Sequence, residues 1–210
     1  MRIKLKRIWL VILLVCMYDS IYAQQRQLKT GDLLFQDLPC GDFCDAINKV
    51  TPSYNGKHFS HVGILLKENV QWVVAEAIGR GVCITPLDSF IKRSGSESIY
   101  VGRIKDTSHI LLPTFKQLEK YTGMPYDSVF NLNNQAMYCS ELVYYLYLDK
   151  QGKAVFELAP MTFKNPDTKD FFSVWISYFQ KMKEPIPEGN PGLNPGSIIN
   201  SPLLYVWKYK

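Results

Sequence analysis

Two apolar runs separated by three polar residues constrain this chain more than any other feature. Ser60 to Leu66 and Val70 to Ala77 read as strands, and Lys67-Glu68-Asn69 between them as a turn. The pair predicts a β-hairpin. With Glu68-Asn69 as a two-residue turn, or Lys67 to Val70 as a four-residue one, counting outward sets His61 directly opposite Glu76. A three-residue loop would break that pairing. Directly opposed residues on one sheet face touch, so the expected hairpin seats an imidazole beside a carboxylate.

A second stretch carries a thiol. Tyr138 to Tyr147 reads as a helix with Cys139 in its first turn, because Cys139, Val143 and Leu146 recur at helical spacing on one apolar face. The preceding Asn131-Leu132-Asn133-Asn134 offers side chains to cap its start. Backbone N–H groups and the helix dipole there favour a thiolate. The dipole contributes only about 0.3–1 kcal/mol, under about one pKa unit, so a working nucleophile needs a base as well.

The chain has 210 residues, 47% of them hydrophobic, which suits one compact domain with a real core. Its N-terminus reads separately. Arg2, Lys4, Lys6 and Arg7 precede an apolar run from Ile8 to Met17, too short to span a membrane, and Ile21-Tyr22-Ala23 offers a cleavage site. Residues 1–23 are thus expected to be a signal peptide, with residues 24–210 forming a single exported domain and no membrane span after cleavage. Cys16 follows Val15, a poor residue for a lipoprotein site. The first 23 residues hold four bases and one acid, which leaves +2 of the chain's +5 for the rest. With no run of Lys or Arg, nucleic acid is not an expected partner.

Cys40, Cys44, Cys83 and Cys139 remain after cleavage. Disulfides are the default reading in an exported chain. If Cys139 is a nucleophile, at most one disulfide fits; Cys40 and Cys44 are near enough to pair, but connectivity is open.

Elsewhere, Gly31 to Gln36 reads as a strand and Asp42 to Val50 as a helix. Val82 to Thr85 and Ile99 to Ile104 read as strands, Leu87 to Lys92 as a helical turn, and Ser108 to Thr122 as a helix. An amphipathic stretch spans Phe171 to Met182, and the apolar tail down to Trp207, though rich in Pro and Gly, is expected to wrap the domain.

Cysteine hydrolysis needs a thiolate, an imidazole that pairs with it and later protonates the leaving group, and an acceptor that orients the ring. Cys139, His61 and Glu76 supply those types. The bland alternatives are a small buried cysteine, a satisfied core histidine and a glutamate reaching solvent at a strand end. His58 and His109 are the other histidines. His58, His61 and Glu76 could in principle hold zinc, but alternation along a strand points i and i+3 to opposite faces, so no metal and no cofactor is expected.

Phe59-Ser60-His61-Val62-Gly63-Ile64, then Ala75-Glu76-Ala77, Gly123-Met124-Pro125-Tyr126-Asp127 and Tyr138-Cys139-Ser140-Glu141-Leu142-Val143 resemble, in that order, the YiiX-like branch of the NlpC superfamily. These are circularly permuted papain-like cysteine amidases, with histidine before cysteine. The resemblance implies an α+β, papain-like fold: an antiparallel, barrel-like sheet packed against helices. It implies Cys139 as nucleophile, His61 as general base and acid, Glu76 as orienting residue, and Tyr126 as an oxyanion donor. The implied activity is cleavage of an amide bond through a thioester, on a peptide or lipid-linked amino acid of the cell envelope. Two other readings stay open: acyl-transfer chemistry like that of lecithin–retinol acyltransferase, and a non-catalytic binding protein on the same fold. The aromatic residues of the C-terminal third (Phe171, Phe172, Trp175, Tyr178, Phe179, Trp207) could line an apolar cleft, although core packing is their commoner use. The substrate and the oligomeric state are not legible.

Overall fold

The structure is a computed structural model that describes residues 26–94 and 98–209. The expected signal segment, with Cys16, lies outside the described residues.

Six strands form one antiparallel sheet: β1 (Leu33–Gln36), β2 (His61–Glu68), β3 (Gln71–Ile78), β4 (Gly81–Pro86), β5 (Tyr100–Ile104) and β10 (Leu204–Lys208), in the spatial order β10-β5-β1-β2-β3-β4. The sheet is open, with β10 and β4 at its edges. The tail does wrap the molecule, since β10 is one of those edges.

The central strands are apolar on both faces. Val62, Ile64, Leu66 and Ala75 point to one side, where the helix α4 (Cys139–Leu146) packs with Leu142, Val143 and Leu146. Leu34, Leu65 and Val74 point to the other, beside Phe90 of the helix α2 (Leu87–Arg93). Burial on both faces is why β2 reads as a continuous apolar run. A third cluster forms where α1 (Asp42–Val50) meets α5 (Ser173–Met182), around Ala46, Trp175 and Phe179.

Two expectations change. The hairpin register runs from Ile64 opposite Ala75 to Glu68 opposite Gln71, so the loop is Asn69-Val70. Asn69 takes φ +53°, a left-handed conformation that hairpin turns require and asparagine tolerates, and Val70 is left 86% exposed. His61 is therefore not directly opposite Glu76; continued outward, the register sets Gly63 there. Second, no helix runs from Ser108 to Thr122. Ile110–Leu111 is a short strand, β6, paired with β7 (Leu148–Asp149). Pro113 disfavours a helical residue before it. The helix begins only after Thr114, whose backbone and hydroxyl exchange hydrogen bonds with Gln117, and α3 is the single turn Phe115–Leu118.

The remaining elements are a two-stranded pair, β8 (Ala159–Pro160) with β9 (Pro191–Gly192), and the short helix α6 (Pro195–Ile199).

Candidate active site

His61 opens β2 and Glu76 lies near the end of β3; they are 3% and 0% exposed. The two-residue change in register keeps them on one face, because side chains alternate with a period of two. Their side chains meet on the diagonal: Nε2–H of His61 donates to Oε2 of Glu76 at 2.7 Å. An ionised carboxylate can only accept, so the proton sits on Nε2. That leaves Nδ1 for Cys139, whose thiol lies close enough to the ring for each to shift the other's protonation.

Cys139 is the first residue of α4 and is buried. The cap differs from expectation. Asn131 and Asn134 accept hydrogen bonds from Asn133 and Ala136 in their own turn. Tyr138 is the N-cap residue, and its N–H is taken by Glu141, at 3.1 Å. Burial pushes the Glu141 carboxyl up to about 8. The loop after β9 locks the helix start: Ser140 Oγ donates to the Leu193 carbonyl at 2.7 Å, and the Leu193 N–H donates to the Tyr138 hydroxyl at 3.3 Å.

The charges support one another. Burial penalises a thiolate at Cys139, but the hydrogen bond and charge of His61, with backbone N–H groups of Val62 and Ser140, outweigh it and lower the thiol's pKa. Burial likewise opposes an imidazolium, yet Cys139 and Glu76 raise His61 to about 9. Glu76 is held down to about 2 against its burial by His61, Arg93 and Thr85. All three shifts run toward the charged form: thiolate at Cys139, imidazolium at His61 and carboxylate at Glu76.

Thr85 and Arg93 were not singled out from the sequence. Thr85 Oγ1 donates to Glu76 Oε1 at 2.5 Å, and Arg93 Nη2 reaches Oε1 at 2.7 Å and Oε2 at 2.6 Å. Thr85 was within reach of register counting. Cys83 opposes Glu76 in the β3–β4 hairpin, and Thr85 is two residues further along the same face. Arg93 comes from the last turn of α2, and no local pattern announces it.

Tyr126 bridges in parallel to Met137, two residues before the thiol. The segment before it is tied to β4: Val82 N–H donates to the Met124 carbonyl at 2.8 Å, and Gly123 N–H to the Val82 carbonyl at 2.9 Å. Gly81, at φ +93°, permits this approach, since a Cβ there would stand 2.2 Å from the Met124 carbonyl oxygen. Burial, then the charge of Cys139, raises the Tyr126 hydroxyl well above its ordinary value. It stays protonated, as a donor.

Cys139, His61 and Tyr126 line one half-open cleft of about 290 Å³. Its walls are mostly apolar, among them Leu38, Phe43, Ile47, Phe130, Met161 and Trp175. The Cys40–Cys44 disulfide sits in the same wall, whereas Cys83 and Cys139 are free thiols. Of Phe171, Phe172, Trp175, Tyr178, Phe179 and Trp207, Trp175 reaches the cleft; Trp207 packs in the cluster of Leu34, Leu65 and Phe90 and does not line it. His58 and His109 do not line it.

A family model described as the permuted papain-like amidase enzyme, YaeF/YiiX, C92 family, matches residues 27–206. The chain belongs to this family. The permuted amidases are hydrolases, and the sheet backed by a cysteine-bearing helix is their papain-like α+β fold. Among curated proteins, the uncharacterized protein YiiX of Escherichia coli K12 is 30% identical over 202 residues, covering 92% of each chain. The crystal structure of YiiX from Escherichia coli O157:H7 superposes with a TM-score of 0.67 at 25% identity, over 86% of this chain and 97% of that one. That protein is described as a metalloprotein. The residues here do not fit a metal: among the described residues no group of three or more His, Cys, Asp or Glu is arranged so that it could hold one, and Glu76 is already engaged by His61, Thr85 and Arg93.

Proposed function

We propose that this permuted amidase is an exported cysteine hydrolase that cleaves an amide through a thioester. The observation that carries the reading is the buried line Cys139–His61–Glu76, drawn from α4, β2 and β3 and opening on one cleft.

In this reading the Cys139 thiolate attacks the amide carbon. The oxyanion is met by the Cys139 N–H at the start of α4 and by the Tyr126 hydroxyl; one such donor contributes about 2.7–4 kcal/mol. The His61 imidazolium gives its Nδ1 proton to the departing amine as the C–N bond breaks. Water then enters, His61 takes its proton, and hydroxide attack on the thioester frees the carboxylic acid and restores the thiolate.

The substrate is an amide of the cell envelope. The leader-like residues 1–23 and the Cys40–Cys44 disulfide support an oxidising compartment outside the cytoplasm. The apolar wall favours an acyl group that is itself apolar, as in a lipid-linked amino acid, over a polar cross-peptide, and keeps the acyl-transfer alternative in play. A free Cys139 whose thiol is shifted toward thiolate by His61 speaks against a purely binding role.

The test is incubation of the purified protein and its Cys139→Ala variant with envelope extract, followed by mass spectrometry. Products formed only by the native protein, carrying a new carboxylate and amine, support the proposal; identical extracts from both reject it. Along a series of N-acyl amino acids, kcat/KM is expected to rise about fourfold per methylene, matching about 0.8 kcal/mol of burial each, until the cleft is full. A flat series would favour a peptide substrate.

A further inference from the structure

Behind the Cys139–His61–Glu76 line stands a second cation. Arg93 ends α2 and lays its guanidinium over the Phe90 ring, 5.3 Å from its centroid. A single nitrogen, Nη2, lies between the two oxygens of Glu76, at 2.7 and 2.6 Å. The carboxylate is completely buried, whereas the Arg93 side chain is 30% exposed. Thr85 completes the clamp, and its hydroxyl oxygen in turn accepts from Arg80 Nη2 at 3.1 Å.

We propose that Arg93 is a positioning residue that straddles Glu76 and balances its charge, so that the His61 imidazolium is held chiefly by the Cys139 thiolate. This rests on the cysteine-hydrolase reading above. Thiolate, imidazolium, carboxylate and guanidinium then form a row of alternating sign with no net charge. The balance matters when the thiolate charge is spent in attacking the carbonyl. The imidazolium must then release its proton to the leaving amine, and an uncompensated buried carboxylate would hold that proton back. With Arg93 in place, Glu76 orients the ring without making it too basic to act as an acid.

The groups around His61 are accounted for on every side. Cys139 faces it from α4 and Glu76 from β3. Arg93 stands behind Glu76 from α2, and Cys83, Thr85 and Arg80 from β4 and the turn before it. Tyr126 lines the same cleft. Gln36, directly opposite His61 on β1, is neutral.

The contact uses one nitrogen and not the planar fork of arginine, so a lysine can reproduce it, whereas a glutamine supplies a donor without charge. The test is a titration of the His61 ring by nitrogen-15 NMR, in a chain that holds three histidines. In a Cys139→Ala background, Arg93→Met and Arg93→Gln are expected to raise the His61 pKa by about one unit or more, and Arg93→Lys to leave it in place. The proposal is overturned if Arg93→Met or Arg93→Gln titrates with its parent. It is also overturned if Arg93→Lys shifts as far as they do. Should Arg93→Met not fold, Arg93→Gln and Arg93→Lys decide alone. The underlying hydrolase reading fails on a different result, namely a native His61 that titrates no higher than in Cys139→Ala.

Discussion

His61 and Glu76 stand two positions out of direct register on neighbouring strands, yet their side chains meet at 2.7 Å. The position directly across from Glu76, once the register is continued, is Gly63, which has no side chain to intervene. Both polar groups thereby share one buried face with Leu65, Val74 and Phe90.

That geometry makes Gly63 a position with no spare room. A Cβ there would come within 2.4 Å of Val74 Cγ1 and 3.0 Å of Phe90. Gly63→Ala is expected to cost about 1–3 kcal/mol, read by denaturant unfolding, and to slow turnover by moving the Phe90 ring that packs on His61. Wild-type stability in this variant would mean that the strand pair yields more easily than the contacts imply.

Glu76 ties the site to acid stability. Its pKa is about 2 in the fold against an ordinary value of 4.5. A depressed acid stabilises fully above its unfolded pKa, and the gain is lost as pH falls through the folded value. Stability should therefore decline between about pH 4.5 and pH 2, by on the order of 3 kcal/mol. Glu76→Gln is expected to remove that slope, to bring His61 down from about 9, and to lower the rate by about 10²-fold or more. An unchanged acid limb of the unfolding curve in Glu76→Gln would contradict the assignment.

Glu141 has the opposite sign. Burial raises it from 4.5 to about 8. Such a group contributes stability below its unfolded pKa and loses it as pH rises through the folded one. Glu141→Gln keeps an oxygen for the Tyr138 N–H and no longer ionises. It is expected to melt higher than the native protein at pH 9 and close to it at pH 4. A variant less stable at both values would show that the carboxyl is needed for more than the cap.

Tyr126→Phe removes one hydroxyl from the cleft and no packing. If that hydroxyl meets the oxyanion, kcat drops about 10²-fold with KM little changed. A rise in KM alone would make Tyr126 a substrate contact instead.

What could be read from the sequence was local. The helices at Asp42–Val50 and Cys139–Leu146, and the strands around His61 and Glu76, carry their own periodicity, and the shared face of the two polar residues survived a misplaced turn because the error was an even number of residues. The turn was misjudged because Val70 looked like strand, while the left-handed conformation of Asn69 decided the loop. Pro113 sits inside the stretch whose apolar spacing suggested a helix and delays that helix to Phe115. Arg93 and the cleft wall were not legible. One depends on how α2 lies over β3; the other is built from α1, α5 and the Leu193 loop, which the chain brings together over long separations.

The most direct measurement is the rate at which iodoacetamide alkylates Cys139 as a function of pH, resolved from Cys83 by peptide mass spectrometry. The account predicts reactivity that persists well below the ordinary thiol range and is lost from that range in His61→Ala, where Cys139 reverts to the behaviour of an unassisted buried thiol. A native Cys139 that reacts only as pH approaches 9, with His61→Ala indistinguishable from it, would contradict the thiolate–imidazolium pair on which the proposed chemistry stands.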